Sequence, residues 1–143
     1  MILLDVNVLV YASNREAARY QEYHTWLGNT LADRAPVGFA PESLAAVVRI
    51  TTHRNLWKVP LSLEQALTFI SAVRQAPSAH AVLPGPTHWD VFDSLCREAR
   101  ARGNLVTDAW LAALAIDQGC TLVTTDRDFA RFKGLRFKHP LDG

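Results

Sequence analysis

The sequence predicts an α/β protein whose central sheet is mostly parallel, has four to five strands and is flanked by helices on both sides. Four short apolar runs lack the alternation of half-exposed strands, which is typical of strands covered on both faces. Helical segments separate these runs in the order β-α-β-α-α-β-α-α-β, and such an order favours a parallel sheet. The four predicted strands are residues 2–4, 37–40, 79–83 and 121–124.

One predicted helix is recognised by its N-terminal signal. Ser62 and Gln65 have the spacing of a capping box, in which each side chain accepts a hydrogen bond from the other residue's backbone N–H. Apolar residues then recur at helical spacing and predict one buried face, formed by Leu63, Ala66, Leu67, Ile70 and Val73. The Pro-Gly-Pro run at residues 84–86 marks the connection to the next helical segment.

Two further helices follow this connection. Thr87 precedes the first of them, which Gly103 is expected to stop. Thr107 is a suitable N-cap for the second, and we expect that helix to end at Gly119. With this start, Asp108 would lie in the first turn of the second helix.

Length and composition indicate one globular domain that spans residues 1–143. Hydrophobic residues make up 49% of the chain, enough for a sizeable core. The 15 Lys plus Arg residues nearly balance the 14 Asp plus Glu residues, which excludes a protein that binds nucleic acid through bulk charge alone. The two cysteines have no metal-binding spacing, and no apolar run reaches the roughly 20 residues of a membrane span. We therefore expect a cytoplasmic protein.

Acidic residues follow the predicted strands at the points where those strands end. Asp5 follows the first strand, and Glu42 follows the second at the start of a helix. Asp126 and Asp128 follow the fourth strand, and Asp108 opens the last predicted helix. Because ligands of open α/β sheets bind outside the carboxyl ends of the strands, we expect these carboxylates to share one crevice.

A cluster of carboxylates in one crevice indicates a particular chemistry. Like charges in close proximity cannot all stay ionised without help, and a hard divalent cation with oxygen ligands is the usual relief. Mg²⁺ keeps several waters and takes few carboxylates, which suits an open catalytic site. One or two such ions can activate a water and stabilise an in-line attack on phosphate, so the expected substrate is a phosphodiester.

Each acidic residue also has an ordinary interpretation. An Asp after a strand is commonly a turn residue or a helix cap, and the helix dipole alone favours Asp108 and Glu42. A receiver-like module that binds Mg²⁺ without cleaving needs an acceptor Asp on a middle strand, and residues 79–83 lack one. The metal hypothesis therefore depends on the shared location of the set and not on any single member.

Several segments resemble those of PIN domains, and in particular of VapC toxins. Residues 3–11 (LLDVNVLVY) look like the opening motif of PIN domains. Residues 102–115 (RGNLVTDAWLAALA) and 122–132 (LVTTDRDFARF) resemble the third and fourth acidic blocks of VapC chains. Residues 49–53 (RITTH) and 60–63 (PLSL) are also similar to VapC chains, so the resemblance covers almost the whole sequence.

The resemblance implies a PIN fold and a Mg²⁺-dependent endoribonuclease, with Mn²⁺ as a substitute, that cleaves structured RNA such as tRNA or rRNA. It implies the toxin of a VapBC-type pair, which a small VapB-type antitoxin inhibits. It further implies a homodimer that forms a heterotetramer or a larger complex with the antitoxin. A PIN nuclease of RNA processing or decay outside a toxin pair, and a non-catalytic metal-binding PIN scaffold, are the alternatives.

By motif position, the resemblance implies that Asp5, Asp108 and Asp126 are the metal-binding catalytic carboxylates. Supporting residues beside them are expected to be Asn7, Thr124 and Asp128. Basic residues that flank these acids would hold the RNA backbone, or would equally form an ordinary solvated surface; they are Arg100, Arg102, Arg127 and Arg131.

Two positions depart from the family pattern. Val6 stands where the family often has Thr or Ser, so a hydroxyl beside the metal is absent. An alignment on residues 49–53 places Ala46 where many members have Glu, whereas Glu42 lies four residues earlier on the same helical face. We interpret Glu42 as the second catalytic acid, and a helix-capping role remains the alternative.

Overall fold

The computed structural model describes residues 1–142 and contains a five-stranded, entirely parallel sheet. The strand order is β3-β2-β1-β4-β5, and the strands are β1 (Ile2–Leu4), β2 (Val37–Phe39), β3 (Ala79–Ala81), β4 (Thr121–Val123) and β5 (Phe137–Lys138). This arrangement confirms the predicted α/β class and the parallel sheet. Each of the four predicted strands exists, and three of them end one or two residues earlier than predicted.

Six α-helices connect the strands, and one short 3₁₀ helix covers Arg127–Arg131. The α-helices are α1 (Val6–Ser13), α2 (Tyr20–Ala32), α3 (Pro41–Thr51), α4 (Leu63–Gln75), α5 (His88–Ala99) and α6 (Asn104–Asp117). None of the helices in the described part of the chain is both long and apolar enough to cross a membrane.

The sheet separates two hydrophobic cores. Leu3 points into the core that α5 and α6 close, whereas its neighbour Leu4 points into the core under α1 to α4. Leu122 and Val123 on β4 divide in the same way, and all four side chains are fully buried. Covering on both faces explains why these strands are continuously apolar in the sequence.

Two elements were missing from the prediction. The segment between β1 and β2 holds two helices where one was expected, because the chain turns at residues 14–19, where the buried Asn14 side chain accepts from the Glu16 backbone N–H at 3.0 Å. The edge strand β5 has only two residues, both exposed, so it has no apolar run that would predict it.

The boundary between α5 and α6 differs from the prediction. Helix α5 ends at Ala99, and Arg100 takes the left-handed conformation that Gly103 was expected to supply. Gly103 instead precedes α6, which begins at Asn104. Thr107 is therefore inside α6 and not its N-cap, and the first-turn placement of Asp108 was wrong by about one turn.

The predicted apolar face of α4 is only partly buried. The capping box of Ser62 and Gln65 is present, with the Ser62 side chain 3.1 Å from the Gln65 backbone nitrogen. Ile70 and Val73 are buried against the sheet, with Ala66 also buried. Leu63 and Leu67 are 59% and 43% exposed, so this end of the face lies outside the core.

Candidate active site

The carboxylate of Asp5 is fixed at the end of β1. Asp5 is the N-cap of α1, and its Oδ1 accepts from the backbone nitrogen of Val6 at 2.7 Å. Its Oδ2 accepts from the Thr124 hydroxyl at 2.7 Å, and the residue is only 7% exposed. The ordinary interpretation as a helix cap is therefore true of Asp5, but this role and a place in a site do not exclude each other, because each oxygen keeps a further lone pair.

Asp126 is held by the turn that follows β4. Its Oδ1 accepts from the backbone nitrogen of Asp128 at 2.8 Å, which caps the 3₁₀ helix. Its own backbone nitrogen donates to the Thr124 hydroxyl at 3.0 Å. Thr124, the supporting residue expected from the sequence, is buried and joins Asp5 to the Asp126 turn through this one hydroxyl.

Glu42 lies in the first turn of α3, directly after β2. It makes no capping hydrogen bond, and its Oε1 accepts from the indole Nε1 of Trp110 at 3.1 Å. Trp110 belongs to α6 and packs edge-on against the buried His88 ring, with 4.1 Å between the ring centroids. A contact between α6 and α3, rather than a helix cap, therefore orients Glu42.

These residues line one cavity of about 340 Å³ between α3, α6 and the ends of β1 and β4. Its wall contains all four acidic side chains predicted to be catalytic, namely Asp5, Glu42, Asp108 and Asp126, together with Asn7. The same wall also contains Ala46, Arg49, Thr107 and Trp110. The predicted shared location of the carboxylates is thus present.

Two carboxyl groups respond to this crowding. Burial, together with the smaller effect of the charges of Asp5, Asp126 and Asp128, raises the pKa of Asp108 to about 6, although Arg131 acts in the opposite direction. Burial also raises the pKa of Asp5, against the hydrogen bonds from Thr124 and Val6 that lower it. The cavity therefore disfavours a full set of ionised carboxylates unless positive charge enters it.

The donor set can be compared with the needs of a metal ion. Among residues 1–142, no three His, Cys, Asp or Glu side chains are close enough together to hold one ion. The cavity is therefore not a preformed protein cage. Its donors are carboxylate and amide oxygens, which are the ligands of hard cations, and Mg²⁺ commonly binds through one or two carboxylates while it keeps several waters. The residues fit such an ion in their chemistry.

The predicted basic residues do not form one group. Arg127 lines a neighbouring cavity of about 510 Å³ that shares Asp126 with the acidic cavity. Arg131 is near enough to influence Asp108. Arg100 and Arg102 are exposed after α5 and line neither cavity. Asp128, predicted as a supporting residue, lies outside the acidic cavity, and its backbone nitrogen donates to the carboxylate of Asp126.

Arg49 and Trp110 also line the site, and neither was predicted as a functional residue. Arg49 follows Glu42 by seven residues and Ala46 by three, so all three share one face of α3. This helical spacing could have predicted that Arg49 faces the site. The hydrogen bond from Trp110 to Glu42 joins residues 68 positions apart, and no local pattern predicts such a pair.

The chain is similar to known proteins over its whole length. The PIN domain profile matches residues 2–135. The chain is 38% identical to VapC ribonuclease Mb2897 of Mycobacterium bovis over 143 residues, which covers 100% of this chain and 97% of that protein. It is 36% identical to Ribonuclease VapC25 of Mycobacterium tuberculosis over 140 residues, which covers 98% of this chain and 99% of that protein. A crystal structure of VapBC2 from Rickettsia felis, bound to a DNA fragment from its promoter, has the same fold, with a TM-score of 0.69 at 22% identity over 97% of this chain and 98% of that chain. The chain belongs to the PIN domain family.

Proposed function

We propose that this protein is a Mg²⁺-dependent endoribonuclease and the toxin of a VapBC-type toxin–antitoxin pair. The main support is the cavity into which four separate elements deliver Asp5, Glu42, Asp108 and Asp126. Membership of the PIN family and full-length relatives named as VapC ribonucleases connect this cavity to RNA. The whole of residues 1–143 acts as one PIN domain in this proposal.

Asp5, Asp108 and Asp126 would supply the carboxylates for the Mg²⁺ ion, with Mn²⁺ as a substitute. One or two of them would bind the ion directly, and the others would reach it through the waters that it keeps. Asn7 lies in the same cavity wall and adds a neutral amide beside them. Positive charge in the cavity relieves the repulsion that raises the pKa of Asp108. When bound, the ion supplies Lewis-acid stabilisation of the phosphate and a water with a lowered pKa.

The protein's own residues orient these groups. Thr124 donates to Asp5 and accepts from the backbone of Asp126, so one hydroxyl sets the relative position of two ligands. Trp110 holds the Glu42 carboxylate by the 3.1 Å hydrogen bond. Glu42 therefore faces the same cavity from α3 and is placed to receive a proton from a water attacking the phosphate.

The partners in this proposal are a structured RNA substrate, a small VapB-type antitoxin and a second copy of the chain in a homodimer. An antitoxin segment that brings a basic side chain to the carboxylates would inhibit the enzyme, because a cation there satisfies the charges that otherwise bind the metal. Protein and RNA of this kind meet in the cytoplasm, where we place the protein.

The decisive experiment incubates the purified protein with bulk tRNA and rRNA and sequences the new RNA ends. We expect cleavage with Mg²⁺ or Mn²⁺, none in excess chelator, and none with the Asp5→Asn variant. Asp33→Asn is the matched control, because Asp33 is exposed, lies after α2 and is outside the acidic cavity. Cleavage that persists in chelator or in folded Asp5→Asn protein would contradict the proposal.

A further inference from the structure

Arg49 is a cation in the wall of an otherwise acidic cavity. It lies in the last turn of α3, two turns after Glu42, and lines the same cavity as the four carboxylates. Its guanidinium offers five N–H donors in a planar fork, which matches the oxygens of a phosphate group better than a lysine does.

The guanidinium of Arg49 is not occupied by the acids that surround it. In the described residues, no carboxylate oxygen lies within 4.0 Å of the Arg49 nitrogens, and no side-chain hydrogen bond uses them. Arg131 is the cation that acts on Asp108. Arg49 therefore lines the cavity from α3 without pairing with the carboxylates that would hold the metal, and its donors are free for a ligand.

We propose that Arg49 binds the RNA phosphate next to the one that is cleaved, and thereby fixes the side of the cavity through which the strand runs. The inference rests on the proposed ribonuclease function and adds a phosphate subsite to it. A polyanion that approaches four carboxylates is repelled unless a cation pairs with its neighbouring phosphates. Arg49 supplies such a cation on the cavity wall itself, at the end where no other basic side chain lines the cavity in the described residues.

An ordinary role for Arg49 is to complement the C-terminal dipole of α3. The chain contains a matched residue for this role, because Arg74 is exposed in the last turn of α4 in the same way and lies outside the cavity. Any effect that arises from the helix dipole or from net charge alone is expected to be the same for the two arginines.

The test measures tRNA binding to the Asp108→Asn protein, which is expected to bind RNA without cleaving it, by titration with labelled bulk tRNA over a range of salt concentrations. Arg49→Gln should weaken binding about 10-fold and lower the slope of log K against log salt by roughly one. Arg49→Lys should recover part of the affinity and all of the slope. Arg74→Gln should behave like the parent. In the protein with native Asp108, Arg49→Gln should raise KM more than it lowers kcat.

Equal binding by Arg49→Gln and Arg74→Gln would overturn the subsite, provided that the parent protein binds and the wild type cleaves RNA. A lower Tm of Arg49→Gln with unchanged affinity per folded molecule would also overturn it, since that is the result of a structural role. If Arg49→Gln does not fold, Arg49→Lys replaces it, and an affinity of Arg49→Lys equal to that of the parent would overturn the subsite, because a lysine cannot bind a phosphate through a planar fork. Failure of the wild type to bind or cleave any RNA would instead contradict the proposed function, and the subsite with it.

Discussion

The carboxylates that follow strands and the carboxylates on helices are held in different ways. Asp5 and Asp126 have oxygens fixed by backbone N–H groups at 2.7 and 2.8 Å, and both connect to the same Thr124 hydroxyl. Glu42 has one hydrogen bond, from a side chain on another helix. No hydrogen bond to the Asp108 carboxylate occurs among the described residues, and its pKa is raised to about 6.

This difference divides the site into a fixed half and an adjustable half. The sheet and its turns position the strand-end acids before any ligand arrives. The helix-borne acids depend on the relative placement of α3 and α6, which the hydrogen bond from Trp110 to Glu42 links. Charge that enters the cavity therefore has its largest effect on Asp108. Mutations in the fixed half and in the adjustable half should change cleavage and stability in different ways.

The largest effect is expected for Asp108→Asn. Loss of this ligand should reduce Mg²⁺-dependent cleavage by about 1000-fold. The same change should raise the free energy of unfolding of the metal-free protein at pH 7 by about 1 kcal/mol, a small value because the carboxyl is partly exposed. Chemical denaturation and a cleavage assay on the same preparation measure both.

The stability gain should depend on pH in a defined direction. The pKa of Asp108 is about 6 in the folded protein and near 3.8 in an exposed state. Its contribution to stability is therefore complete below pH 3.8 and is lost as the pH rises through about 6. Asp108→Asn should match the wild type in acid and exceed it at neutral pH. Asp117→Asn, on the same helix, is the control: hydrogen bonds from Thr87 and Gln118 lower the pKa of Asp117, so this variant should lose stability and keep cleavage.

The second effect in size concerns the connection within the fixed half. Thr124→Val removes the donor to Asp5 and the acceptor for the Asp126 backbone nitrogen. Cleavage should fall about 10- to 100-fold, and stability by about 1–3 kcal/mol, because a buried carboxylate loses its partner. Thr121→Val at the start of β4 is the control, since Thr121 lies outside the acidic cavity. Equal losses in both variants would show that Thr124 has no special role.

The same division explains what the sequence could predict. Asp5 and Asp126 were located because short parallel strands end at one edge of the sheet, so their positions follow from the order of apolar runs alone. Asp108 was placed in the cavity correctly but in the wrong turn of α6. Helix α6 begins at Asn104, three residues before Thr107. Helix α5 is capped by Arg100 in the left-handed conformation, where a glycine was expected to end it.

The helix-borne side of the cavity depends on contacts that local patterns do not encode. Glu42 and Ala46 were recognised as sharing a face of α3, but the partner that orients Glu42 comes from α6. Strand β5 was missed because two exposed residues have no periodicity. The predictable parts are those that local hydrogen bonding and burial determine, and the rest required the packing of distant segments.

A third, smaller effect is expected at the joint between the two helices. Trp110→Phe keeps an aromatic ring against His88 and removes the hydrogen bond to Glu42. Cleavage should fall about 10-fold, through kcat rather than KM, because the variant misplaces Glu42 without changing the charge of the cavity. Trp57→Phe removes a comparable indole hydrogen bond, to the Ile50 carbonyl at 2.9 Å, and Trp57 neither lines the cavity nor contacts one of its carboxylates through this bond. This control should lose stability alone, and a similar kcat for the two variants would contradict the role of Trp110.

The smallest effect tests whether the adjustable half responds to charge at a distance. Asp128 is exposed outside the cavity, yet its charge helps to raise the pKa of Asp108. Asp128→Asn should leave cleavage at neutral pH within about 2-fold and lower the pKa of Asp108 by about a few tenths of a unit, an effect that shrinks as salt is added. An NMR titration of the metal-free protein measures this pKa directly. If the pKa of Asp108 stays unchanged in Asp128→Asn at low salt, then burial and the charges of Asp5 and Asp126 set this pKa, and the adjustable half does not respond to the exposed charge of Asp128.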